Sequence, residues 1–223
     1  MKLGKLRYNS EFIAIKFFYE TKNWSINWMC KQLEISRAAY YKWLNREIPE
    51  QEAVAENRLG RDFYATAPNE KWTTDVTEFK IPGEKKKLYL SAILDLYDRY
   101  PVAYVISTRN NNELVFKTFD KAIAANPEAK PLFHSDRGFQ YTSKVFQMKL
   151  KEHKIEQSMS RVGHCIDNGP TEGFWGIIKS EMYQMYDITN ESSLRFAIKD
   201  YIRFYSEERP QDRYCCKTPQ EVR

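Results

Sequence analysis

The sequence predicts an α/β chain, a mixed sheet flanked by helices and preceded by a small all-α region. Three observations carry that prediction. Residues 11–44 hold apolar side chains at helical spacing between capping residues; residues 72–107 hold three runs rich in Val, Ile, Thr, Tyr and Phe; from Leu114 onward helical and extended patterns alternate. With 223 residues, 42% hydrophobic and 15% aromatic, the chain can bury a core, which excludes intrinsic disorder and collagen-like fibres.

The first helix is EFIAIKFFYETK at 11–22. Ser25 can cap a second, whose apolar face is Ile26, Met29, Cys30 and Leu33. Only Glu34 and Ile35 intervene before Ser36, an N-cap for a third helix over Arg37 to Leu44, so two short helices meet through a tight turn as in a helix-turn-helix. The third helix would be the reader: Arg37, Tyr40, Tyr41 and Lys42 can touch phosphates and base edges in a major groove. Charge agrees. Residues 1–48 hold nine Lys or Arg against four Asp or Glu, while residues 49–223 hold 26 of each, so the net +5 sits at this end and favours an anionic partner over a merely solvated face, nucleic acid first; with the helix-turn-helix the expected partner is double-stranded DNA. The expected organisation is a helix-turn-helix region at 1–48, a polar linker with Pro49 and Pro68 at 49–69, and a core at 70–223.

In the core, WTTDVTEFKI, KLYLSAILDLY and PVAYVIS read as three antiparallel strands, punctuated by PGEKKK and DRYP. Leu114, Val115, Phe119, Ala122 and Ile123 then make one helix face; PLFH at 131–134 reads as a buried strand; Val145, Phe146 and Leu150 mark a helix; IEQSM is a short strand. Two helices follow, from about Pro170 to Tyr183 and Ser192 to Tyr205. That order belongs to a ribonuclease-H-like fold.

Asp75 lies in the middle of a strand whose other residues favour burial, and a buried carboxylate without a partner is costly. Asp136, in HSDRGFQY, follows the next inner strand at the sheet edge where ligands bind in α/β folds. Gly169 and Pro170 suit a helix start, which puts Glu172 in the first turn. Asp136 alone would be a turn residue and Glu172 alone a first-turn glutamate. Three converging carboxylates, however, repel one another unless cations sit between them, and oxygen ligands of this kind suit Mg²⁺ or Mn²⁺. Two such ions, about 3.5 to 4 Å apart, suit in-line phosphoryl transfer on a polynucleotide.

The strings WTTDVTEF, HSDRGFQY and SMSRVGHCIDNGPTEGFWGIIKSE resemble the catalytic core of bacterial DDE transposases, most closely the second-frame protein of the insertion-sequence-three family. Thirty-five residues separate Asp136 from Glu172, the spacing typical of that core and of retroviral integrases. YIRFYSEERPQDRYCCKTPQEVR is similar to the family's C-terminal signature, and the N-terminal helices resemble its helix-turn-helix. The resemblance implies Asp75, Asp136 and Glu172 as the metal-binding catalytic triad, DNA strand cleavage and strand transfer at element ends as the activity, and a homo-oligomer on DNA. It also implies a phosphate contact for Lys179, seven residues after Glu172, or about 10.5 Å along a helix. Arg161, Gly163 and Gly169 are expected in a mobile loop that orders on substrate.

The family usually has a longer helical region between the helix-turn-helix and the core, where in this chain only about two dozen largely polar residues connect Arg46 to Lys71, and it tends to have Asn where Ser206 stands. A second reading follows from the shortening: a remnant or regulator that binds DNA without transposing. His134, Ser135 and Asp136 do not make a hydrolase triad, since neighbours along an extended chain point to opposite faces. The three histidines and four cysteines lack zinc-site spacing, so no structural zinc is expected, and the thiols read as reduced in a cytoplasm. No stretch is long and apolar enough for a membrane span.

Overall fold

The computed structural model describes residues 9–22, 24–44, 54–161 and 165–223. It divides into two units, Met1–Gln51 and Glu52–Arg223. Among the described residues, no helix is long and apolar enough to cross a membrane.

The smaller unit holds α1 (Asn9–Lys22), α2 (Ile26–Gln32) and α3 (Arg37–Leu44). The Ser25 hydroxyl accepts from the Trp28 amide and caps α2 as its sequence requires. Phe12, Ile15, Met29, Cys30, Ile35 and Tyr40 form the core, with the Phe12 and Tyr40 rings 6.0 Å apart. This corrects the reading of Tyr40 as a DNA contact. At 1% exposure it is a core side chain, because position 40 falls on the α3 face that closes over α1 and α2; Tyr41, 42% exposed, is the tyrosine α3 presents outward. Leu33 is exposed rather than part of the apolar face.

The larger unit is built on five strands: β1 (Lys71–Lys80), β2 (Lys87–Asp95), β3 (Pro101–Ser107), β4 (Leu132–Ser135) and β5 (Glu156–Met159). Their order is β3-β2-β1-β4-β5, with β1 to β3 an antiparallel meander and β4 and β5 parallel to β1. Gly83, with φ +79, supplies the left-handed step of the β1–β2 turn. The α-helices are α4 (Asn112–Ala125), α5 (Lys144–Glu152), α6 (Gly169–Met185), α7 (Glu191–Glu207) and a short α8 (Pro219–Val222). Asn111, Ser143 and Asn190 cap α4, α5 and α7 with their side chains.

Strand alternation sorts the sheet's two faces. Leu88, Leu90, Ala92 and Leu94 of β2 join Phe79 against α6 and α7; Trp72, Ile93 and Phe133 join α4 and α5 on the other side. Val145 is 56% exposed, so only Phe146 and Leu150 hold α5 to the sheet. From Val54 on, the stretch read as a linker docks on the larger unit: the Arg58 and Leu59 amides both donate to Ser158 Oγ at 3.0 Å, and Leu59 and Ala65 are buried with Leu96.

Candidate active site

The site follows from how α6 lies on β1. Residues 73, 75, 77 and 79 of β1 share one face, and α6 meets them with every fourth residue. The Thr171 and Thr73 hydroxyls lie 2.8 Å apart; Trp175 Nε1 donates to Asp75 Oδ2 at 3.1 Å; Lys179 Nζ donates to Thr77 Oγ1 at 2.6 Å; the Tyr183 ring is 6.3 Å from that of Phe79, and its hydroxyl donates to the Lys80 carbonyl at 2.7 Å. The ladder works because four helical residues advance about 6.0 Å and two strand residues about 6.6 Å, nearly the same step. At its start Asn168 donates to the Thr74 carbonyl at 3.1 Å, which fixes where α6 begins. Pro170 stands in the first turn, as does Glu172, one residue past the first rung and exposed.

Asp136 arrives from the other side. Thr73 pairs with His134 in the parallel β1–β4 register, so two residues further along each chain Asp75, in the middle of β1, and Asp136, just past the end of β4, come at the same level. The Gly138 amide donates to Asp136 Oδ1 at 2.9 Å. A Cβ at position 138 would stand 3.0 Å from the same oxygen, so a larger residue there would press on the Asp136 carboxylate.

Electrostatics ties the carboxylates together. Burial, then the charge of Asp136 and more weakly that of Glu172, push the Asp75 carboxyl up to about 6, against hydrogen bonds from the Val76 amide and Trp175 that favour its charged form. Burial also raises Asp136, and the Gly138 amide works the other way. Among the described residues no salt bridge compensates any of the three, and no three His, Cys, Asp or Glu side chains stand close enough together to hold a metal ion. The structure therefore places Asp75 and Asp136 at the same level of the neighbouring strands β1 and β4, with Asp136 and Glu172 near enough for their charges to reach Asp75 but the three not gathered into a shared cluster among the described residues.

Behind the site, His134 is fully buried between two serines, Nδ1 2.8 Å from Ser158 Oγ and Nε2 3.1 Å from Ser160 Oγ. Because Ser158 Oγ already accepts two amides, its proton goes to Nδ1, and the neutral ring carries its own proton on Nε2 toward Ser160. Asp167, also fully buried, accepts from Arg161 Nε and Nη2, the Arg161 amide, Arg61 Nε and Asn57 Nδ2; Arg161 first among these holds its carboxyl far below the usual carboxylate range. The expected mobile loop is thus fastened at Arg161 and Asp167, while Gly163 lies outside the described residues.

Residues 65–165 match the integrase core domain family, and residues 153–219 match a second family model of the same description. An uncharacterized transposase-like protein of Haemophilus influenzae is 44% identical over 158 residues, which cover 71% of this chain and 72% of that protein. The chain belongs to the insertion-sequence transposases with an integrase core. InsK of insertion sequence element IS150 from Escherichia coli (strain K12) is 44% identical over 171 residues, 76% of this chain and 60% of that protein; this transposase-family chain thus spans about three fifths of InsK's length. The HTLV-2 integrase catalytic core domain in complex with magnesium (dimeric form) shares the fold, with a TM-score of 0.54 at 21% identity over 70% of this chain and 97% of that one.

Of the DNA-contact candidates in this transposase-family chain, Arg37 is exposed on α3, Tyr40 is buried, and Lys42 lies on α3 with its side chain outside the described residues. Lys179 is half-buried in the ladder, and desolvation lowers its pKa. The sequence reading passed over Trp175, Asn168, Thr171 and Asp167. Trp175 carried one usable signal: a single polar atom on a ring that packs into the core must find an acceptor.

Proposed function

We propose that the chain is a DNA transposase whose core acts as a metal-dependent polynucleotidyl transferase, cleaving and joining DNA strands at the ends of an insertion element. The observation that carries this reading is the placing of Asp75 within β1 and Asp136 just past the end of the adjacent parallel β4 at one level, with the helix that bears Glu172 bonded to Asp75 through Trp175. The donors fit a hard divalent cation: all are carboxylate oxygens, the two aspartates are partly buried, and their mutual repulsion has no compensating salt bridge among the described residues. Asp75 and Asp136 would hold Mg²⁺ or Mn²⁺, two ions in the full site, with Glu172 joining them by side-chain rotation on its exposed turn. Bound there, such cations supply Lewis-acid stabilisation of phosphoryl oxygens and a lowered pKa for water or a 3′-hydroxyl.

The chain's own residues do the rest. The α6–β1 ladder orients the carboxylates, the Gly138 amide orients Asp136, and Lys179 leaves Thr77 to meet a substrate phosphate. Arg37 and Lys42 of the small unit would engage the duplex backbone, and two or more copies would assemble on paired DNA ends. Incubation of labelled element ends with Mg²⁺ tests the reading, with wild type beside Asp136→Asn. Wild type should nick and join the ends and the variant should only bind them; if both bind and neither cuts, the activity is wrong.

A further inference from the structure

We infer that Trp175 is a positioning residue for the metal site, an inference that rests on the function proposed above. Its indole N–H fixes Asp75 through Oδ2 in the orientation that receives a divalent cation, and it ties the helix bearing Glu172 to the strand bearing Asp75. Among the four rungs of the ladder this is the one that touches a proposed ligand; the others join hydroxyl to hydroxyl, ammonium to hydroxyl, and ring to ring. Trp175 sits three residues after Glu172, so the two share a side of α6 one turn apart. The ring cannot swing away: it is 6% exposed and packs 5.1 Å from Phe174 within the core shared by α6, α7 and β2.

Chemistry favours a role beyond satisfying the indole. A donor to one carboxylate oxygen fixes the plane of the group and leaves the second oxygen for a cation, as partners behind metal ligands commonly do. On the opposite flank, a Cβ added at Gly173 or Gly176 would meet nothing within 4 Å, so the α6 surface around Glu172 stays open while Trp175 is held.

The test is Mn²⁺ binding to the full chain, followed by the electron paramagnetic resonance signal of free Mn²⁺, so no turnover is needed. Trp175→Phe keeps a ring and deletes the donor; β-(3-benzothienyl)alanine placed at position 175 by codon suppression keeps the ring volume as well, which guards against a packing defect. Both should weaken Mn²⁺ binding about 10- to 100-fold, with a melting temperature in EDTA unchanged for the isostere, while Asp136→Asn abolishes binding. If Asp136→Asn loses the ion and both position-175 variants bind it like wild type, the positioning role is overturned and the metal site stands. If wild type binds no Mn²⁺, or Asp136→Asn binds it equally well, the metal site is overturned and this inference falls with it.

Discussion

His134 and Asp75 pull stability in opposite directions with pH. Burial holds the His134 pKa down, from 6.5 to about 4. Between those values the unfolded chain binds the proton and the folded chain does not, so stability falls as pH falls from 6.5 to 4, by about 3 kcal/mol in all. Asp75 is raised from 3.8 to about 6, so over that window the folded chain binds the extra proton. Its charge costs at most about 3 kcal/mol at pH 7, and the cost is relieved as pH falls through 6. Two predictions follow from these signs. Urea unfolding in EDTA at pH 7 should find Asp75→Asn more stable than wild type, since the amide oxygen still accepts from Trp175 while the desolvated charge is gone; a loss of stability would refute the account of Asp75. His134→Asn should remove the loss of stability that wild type shows toward pH 4, leaving the opposite Asp75 trend, so the variant's unfolding free energy should rise relative to wild type as pH falls from 6.5 to 4; an unchanged slope would contradict the assignment. At this scale Asp75 stood out in the sequence because a carboxylate among strand residues is costly, whereas Asp136 and Glu172 each read alone as a turn and a first-turn residue. Tyr40 misled because a tyrosine combines an apolar body with a polar tip, and only its position on the helix decides which end matters.

The α6–β1 ladder positions the site by matching a helical step of four to a strand step of two. Thr171→Val should therefore cost about 1 to 2 kcal/mol in chemical unfolding, because the buried Thr73 and Asn168 groups lose a partner. A neutral result would mean the rung contributes nothing to docking. The Asp167 cluster does the same for the loop before α6. Asp167→Asn removes the charge that Arg161 and Arg61 share, so limited trypsin digestion should cleave faster after Arg161; equal rates would show the loop to be held by something else. Strands and helices were legible because burial imposes periods of 2 and 3.6 on local sequence. The ladder was not: Thr171, Trp175, Lys179 and Tyr183 make no apolar stripe, and their partners lie about a hundred residues away. Residues 54–66 escaped for a related reason, since amides that donate to Ser158 leave no mark on composition.

Taken whole, the molecule joins a basic three-helix unit to a core of balanced charge, and the division of charge between residues 1–48 and the rest was visible from the outset. Arg37 is exposed on α3, so Arg37→Ala should weaken duplex binding and reduce the slope of log affinity against log salt by about one. An unchanged slope would remove α3 from the DNA interface. In the function proposed for the core, Asp75 and Asp136, at one level of β1 and β4, would take up a divalent cation that Glu172 completes. Anomalous X-ray scattering from crystals grown with Mn²⁺ tests it most directly. The account predicts manganese between the Asp75 and Asp136 carboxylates, with Glu172 turned in to share it and the Trp175 bond to Asp75 intact; manganese bound elsewhere, or none at these carboxylates, would contradict it.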